Sequence, residues 1–295
     1  CSTSTASILI LARSSLWVVI QAKASRQNMK DVQNSEDTRG IAIDRVGVCD
    51  VRYPICVLDQ NNERQHTVAT IDLSVDLPHQ FKGTHMSRFI EILNRRHGEI
   101  TMKNIPEILD ELKERLDAER SHVELSFPYF LNKPAPATKK KAQIDYTCTF
   151  IAESGPSDTD FILKVEVPVT SLCPCSKEIS EYGAHNQRGY VTIEVRTKKN
   201  ESGEWEFVWI EELITIAENS ASAPLFALLK REDEKLVTEQ AYDNPVFVED
   251  LVRNVALDLK ADDRIFSYRV KTVNHESIHA HNAFAVVQSF NWTRL

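Results

Sequence analysis

The sequence predicts an α+β protein whose chain runs through one pattern of strands and helices twice. Three observations point there. Segments such as 65–77 and 161–170 alternate apolar and other residues with period two, the mark of a strand with one buried face. Segments such as 105–116 carry apolar residues at helical spacing. The order strand, strand, helix, helix, strand, strand occurs before about residue 154 and again after it, with no visible identity between the two passes.

In the first pass, strands are expected around Asp50–Leu58 and over Gln65–Leu77, joined by a polar turn at 60–64. A helix should start at Ser87, a suitable N-cap. Asn104 should cap a second, with Pro106 in its first turn and Ile105, Ile108, Leu109, Leu112 and Leu116 facing the core. Strands at Val123–Leu131 and Gln143–Glu153 follow. Between them, 132–142 reads as a loop whose Lys139, Lys140 and Lys141 are solvated. A turn-rich link at 154–160 leads to strands Phe161–Thr170 and Tyr190–Thr197. Then come helices Ile210–Glu218 and Pro245–Leu259, the latter capped by Asn244, and strands Arg264–Val273 and His279–Phe290.

Bulk composition narrows the function. A net charge of -8 argues against a nucleic-acid partner, though not against a small anion held by a local basic cluster. The six cysteines are unevenly spread, as in a reducing cytoplasm. Dinucleotide-binding and P-loop glycine patterns are absent, and no apolar run reaches the ~20 residues that span a bilayer. Residues 1–28 differ in character, being rich in Ser, Ala and Thr with no acidic residue before Asp31. They read as a targeting peptide, which would imply organellar import, or as upstream translation ahead of Met29; the second reading is preferred, and the stretch is set apart from the fold.

The chemistry concentrates between two strands. Cys173-Pro174-Cys175-Ser176-Lys177 and, further on, Gly183-Ala184-His185-Asn186-Gln187-Arg188 are too polar for a core. Two thiols two residues apart plus a histidine suit a divalent metal; the alternative is two inert thiols beside a surface histidine. Lys177 and Arg188 would favour a thiolate. Glu234 could serve as an oxygen ligand within a charged stretch otherwise read as a solvated loop. Glu249 either pairs with Arg253 or points at a ligand, where a carboxylate can accept two hydrogen bonds from adjacent donors such as a ring N–H and an exocyclic amine. His275-Glu276-Ser277-Ile278-His279 matches a zinc-protease motif, but the alternation around it indicates a strand, where His279 and His281 point the same way and suit proton transfer.

Taken together, these stretches resemble GTP cyclohydrolase of type IB. The resemblance spans about Asp31 to Gln288. It rests on the two stretches just quoted and on Gly83-Thr84-His85-Met86-Ser87-Arg88-Phe89, Leu229-Lys230-Arg231-Glu232-Asp233-Glu234-Lys235, Asn244-Pro245-Val246-Phe247-Val248-Glu249-Asp250 and Glu276-Ser277-Ile278-His279-Ala280-His281. It implies the tunnelling fold, with two ββααββ modules fused at 29–154 and 155–295 and helices on one face of antiparallel sheets. It implies a cytoplasmic homotetramer, without nucleic-acid or membrane partners, that converts GTP and water to 7,8-dihydroneopterin triphosphate and formate, the first step toward tetrahydrofolate. The divalent metal would be zinc, manganese or iron(II). By position Cys173, His185 and Glu234 would hold it, with Cys173 favoured over Cys175 as the thiolate ligand and Cys175 a nearby catalytic candidate. Glu249 would anchor guanine and His279 and His281 would act as acid and base. Lys177, Arg188, Lys230 and Arg231 are candidates for the triphosphate because it needs clustered cations. The departures are residues 1–28 and an insertion at 200–206. A competing expectation is another tunnelling-fold enzyme acting on a pterin or 7-deazaguanine through a cysteine nucleophile.

Overall fold

A computed structural model of the chain describes residues 31–292, apart from 34, 62, 97–99, 101–103 and 157; the extension over 1–28 lies outside the described residues. The first half runs β1 (Ile43–Leu58), β2 (Arg64–Leu77), α1 (Met86–Arg95), α2 (Ile105–Leu116), β3 (Ser121–Pro134) and β4 (Lys141–Ser154). The second runs β5 (Thr159–Leu172), α3 (Pro174–Ile179), β6 (Asn186–Thr197), α4 (Ile210–Ser220), β7 (Ala223–Pro224), α5 (Arg231–Asp243), α6 (Val248–Ala261), β8 (Ile265–His275) and β9 (Ala283–Gln288). The repeated order is present, and the class is α+β.

All strands join one antiparallel sheet in the order β1-β2-β3-β4-β5-β6-β8-β9, with β7 beside β5. The halves meet where β4 pairs with β5, from Thr147 opposite Glu166 to Ser154 opposite Thr159. Register makes the apolar side continuous. Ile71 faces Leu125, Leu125 faces Phe150, Phe150 faces Leu163, and Leu163 faces Val195. Directly paired residues project to the same side, so one face carries the core from β2 to β8. The helices cover that face, and residues of α1, α2, α4 and α6 share one hydrophobic cluster with it. Burying a Leu, Ile or Phe side chain this fully contributes about 1.5–3 kcal/mol. The opposite face carries Glu124, Thr149, Lys164, Glu166, Thr192 and Glu194.

Several boundaries differ from expectation. α1 begins one residue before Ser87, with His85 at the cap position. α6 begins at Val248 behind Phe247, so Asn244 and Pro245 belong to its lead-in and not to its first turn. The charged stretch after Lys230 forms α5; only Asp233 and Ala241 are buried on it, so no apolar stripe marked it. The polar insert after Leu172 contains α3. Residues 132–134 and 141–142 belong to the flanking strands, so the loop is shorter than expected, a tight turn over 135–140 where Lys139 adopts φ 58°. The last strand starts at Ala283, so His279 and His281 precede it. The region of 200–206 is a turn, closed by the bridge between Lys199 and Trp205.

Beyond β4–β5, the halves are joined by carboxylates of the second half and donors of the first. Glu211 on α4 is buried and accepts from the Tyr129 hydroxyl at 2.6 Å and from Gln60 N–H at 3.0 Å. Seven residues on, Glu218 accepts from the Tyr146 hydroxyl at 2.8 Å and from Lys133 Nζ at 2.6 Å. Asp233 is fully buried and accepts from the N–H groups of Ala137 and Thr138 at 2.8 Å and the Thr138 hydroxyl at 2.7 Å. Hydrogen bonds to charged groups are worth more than neutral ones. Tyr129→Phe should therefore destabilise the fold by about 1.5–3 kcal/mol, read as a lower urea midpoint at unchanged slope.

On the polar face, His122 is buried beside Arg45 and Glu153. Burial, reinforced by the Arg45 charge, holds its pKa down to about 4 from 6.5. Between those values the unfolded chain takes up a proton that the folded chain refuses. This contribution to stability is complete above pH 6.5 and is lost as pH falls toward 4, amounting to about 3 kcal/mol at most. Denaturant titrations across that window should show the loss in the native protein and a flatter profile in His122→Asn.

Candidate active site

The site is built at the ends of β5, β6 and β8. Leu172 ends β5, and Cys173 takes an extended conformation as the cap of α3, with Pro174 at its first position. Proline suits that place because its missing N–H is not needed there. A ring of hydrogen bonds closes this corner. Cys173 N–H donates to His185 O at 3.2 Å, and His185 N–H donates to Ser176 Oγ at 3.2 Å. The Ser176 hydroxyl donates to Cys173 O at 3.1 Å, and Ser176 N–H reaches Cys173 Sγ at 3.5 Å. Gly183, with φ 121°, allows the return of the chain. Cys173 and His185 are thus brought together, half-buried, while Cys175 is exposed.

The segment between β8 and β9 folds onto this corner. His185 Nδ1 lies 3.1 Å from Ser277 Oγ, and Gln187 Nε2 donates to Glu276 at 3.1 Å. His279 and His281 do share a side, but through a bend and not through strand alternation; their exposed rings stack with centroids 5.2 Å apart and planes 12° apart. His275 is instead the last residue of β8 and packs on Tyr190 at 5.1 Å, so His275 and His279 form no helical zinc motif. Ser277 is a site residue that sequence reasoning missed. It stood inside the stretch weighed only for its histidines.

Glu234, Lys230 and Arg231 are exposed at the start of α5. Their neighbour Asp233 accepts Lys230 N–H at 3.0 Å as well as the donors of the β3–β4 turn. Burial alone would raise its pKa, yet the bonds from Thr138, Lys230 and Ala137 hold this carboxyl well below the usual range. Glu249 is exposed in the first turn of α6. Arg253 pairs with Asp250 at 2.9 Å, so the expected alternative partner of Glu249 is engaged elsewhere. Lys177 donates to Tyr242 O and stands 4.3 Å over the Tyr242 ring. Arg188 lines a cleft of about 330 Å³ with Glu166, Tyr190 and Phe226, where β4 and β5 part. Among the described residues no three His, Cys, Asp or Glu side chains converge as a metal cage. Among the same residues no helix is long and apolar enough to cross a membrane.

Residues 29–285 match the family described as type I GTP cyclohydrolase FolE2. The chain belongs to that family. The GTP cyclohydrolase FolE2 of Syntrophotalea carbinolica is 57% identical over 260 residues, covering 88% of this chain and 95% of the relative. That of Fervidobacterium nodosum is 55% identical over 261 residues, covering 88% and 97%. Among solved structures, the uricase of Arthrobacter globiformis is similar at a TM-score of 0.48 and 10% identity, over 85% of this chain and 95% of that one. The family match begins at Met29, close to where the sequence changes character.

Proposed function

We propose that this FolE2-family enzyme is a type IB GTP cyclohydrolase that converts GTP and water to 7,8-dihydroneopterin triphosphate and formate, opening the route to tetrahydrofolate. The observation that carries the residue assignment is the closed Cys173–Ser176–His185 corner, with Ser277 engaging His185 Nδ1. That engagement leaves Nε2 available, the arrangement typical of a metal-binding histidine. A thiolate and an imidazole also suit zinc, iron(II) or manganese as donors. Cys173 and His185 are therefore assigned to a divalent metal, with Glu234 as the third ligand. Bound there, such an ion would bring water to a pKa near ~7.

The remaining residues bind, orient and move protons. The Glu249 carboxylate has two oxygens free to accept the ring N–H and exocyclic amine of guanine. The stacked His279 and His281 imidazoles are assigned to protonate the ring nitrogen that departs from C8 and to exchange protons as the ribose rearranges. Cys175 stands exposed two residues from Cys173 and is assigned an auxiliary catalytic role. Lys230 and Arg231, with Arg188 and Lys177, supply positive charge for the triphosphate. The enzyme is assigned as a homotetramer with sites at subunit interfaces. In this reading, 29–154 and 155–295 are the two modules, the second carrying most of the ligands, and the enzyme works in the cytoplasm.

Metal-stripped enzyme supplied anaerobically with GTP and zinc, manganese or iron(II) should release formate and yield a fluorescent pterin after oxidation. Cys173→Ala and Glu249→Gln should each lower kcat/KM by at least about 100-fold, equivalent to about 3 kcal/mol of transition-state stabilisation, with unchanged melting temperature. Near-normal turnover in either folded variant would overturn the assignment. Ser277→Ala should weaken metal binding by about 10-fold in equilibrium dialysis.

A further inference from the structure

Beneath the exposed site lies a buried polar knot. Ser171, Ser222 and Asn274 are each at most 1% exposed. Asn274 Nδ2 donates to Ser171 Oγ at 3.2 Å, and the Ser171 hydroxyl donates to Val246 O at 3.0 Å. Val246 N–H returns to Leu172 O at 3.1 Å, while Leu172 N–H donates to Ser222 Oγ at 3.0 Å. These bonds tie together three departure points. Ser171 lies two residues before Cys173, Val246 three before Glu249, and Asn274 at the head of the bend that carries Ser277, His279 and His281.

The route taken by Asn274 is unusual. It belongs to β8, yet its partner is on β5, with β6 between them. Asn274 pairs with Gly189, and Gly189 pairs with Val169. The amide crosses β6 over the one position without a side chain. A Cβ at Gly189 would lie 2.8 Å from Asn274 Oδ1 and 3.1 Å from Val169 Cγ2. Asn274 Oδ1 itself has no hydrogen-bond partner. A buried acceptor left without a donor costs stability, and an apolar side chain would avoid that cost. What the asparagine provides in exchange is the fixed link between three segments.

We propose that Asn274 is a positioning residue for the cyclohydrolase reaction, acting through Ser171 to hold the segments bearing Cys173, Glu249 and the His279–His281 pair in register. The proposal rests on the assignment of those residues to the site. It does not require Asn274 to touch GTP. Misplacement of reacting groups by about 1 Å can cost about 100-fold in rate, so a link of this kind acts on kcat more than on overall stability.

The test compares Asn274→Ala, Asn274→Asp and Ser171→Ala with Val167→Ala, a fully buried core truncation on the same strand. Asn274→Ala should lower kcat by about 100-fold with KM changed less than 3-fold, and should displace the pH profile of kcat. Asn274→Asp keeps the shape but loses the donated N–H, so it should fall with the alanine variant. Ser171→Ala should show the same split at about 10-fold, and decides the matter alone if Asn274→Ala fails to fold. Val167→Ala should stay within 3-fold of the native kcat. Activity losses that simply follow melting temperature across all four variants would overturn the proposal. Should Cys173→Ala and Glu249→Gln prove active, the site assignment fails instead, independently of Asn274.

Discussion

Every strand from β2 to β8 turns its apolar side chains to the same face of one sheet, and the rest of the molecule follows from that constraint. A row such as Ile71, Leu125, Phe150, Leu163 and Val195 needs a continuous apolar cover. The helices of both halves can supply it only from one side. The opposite face carries polar residues, some of them buried, as His122 is. Functional groups are pushed to the strand ends, where the chain leaves the sheet and backbone direction is free to change. Cys173, His185 and the His279–His281 segment all occupy such exits, held by a rigid sheet but not buried in it.

The two faces treat charge differently. On the covered face, the carboxylates are held by the other half: Glu211 through Oε1 with Tyr129 and Gln60, Glu218 with Lys133 and Tyr146, Asp233 with the β3–β4 turn. Around the site, Glu234 and Glu249 are exposed, and Arg253 is occupied by Asp250. Adjacent residues on α5 show the contrast most clearly, since Asp233 is pinned and Glu234 projects outward. A buried acid must be satisfied to exist at all, whereas an acid kept for a ligand must not be satisfied in advance. The helix start places an engaged acid and an exposed one within one peptide unit.

Strands and long helices were legible in the sequence because burial imposes a period. Gln65–Leu77 and Ile105–Leu116 were recognised from alternation and helical spacing, and the repeated order emerged from them. α5 was not, because its buried positions are one aspartate and one alanine, so it presents no stripe. The final strand was drawn too early because His279 to Ala285 happen to alternate, while the chain there bends and brings the two imidazoles together by another geometry. The Cys173–His185 corner was visible as polar residues between strands, and the family resemblance supplied its chemistry. Ser277 and Asn274 were not visible. One is known only by what it touches, and the other only by the strand it crosses.

The polar seam between the halves has a direction. The first half contributes hydroxyls, N–H groups and a lysine, and the second contributes three carboxylates. A second half expressed by itself would therefore lose the first-half donors to all three acids, leaving Asp233 only Lys230 N–H. Although the element order repeats, the halves are a lock and its key, and their heterotypic chemistry encodes which half belongs with which.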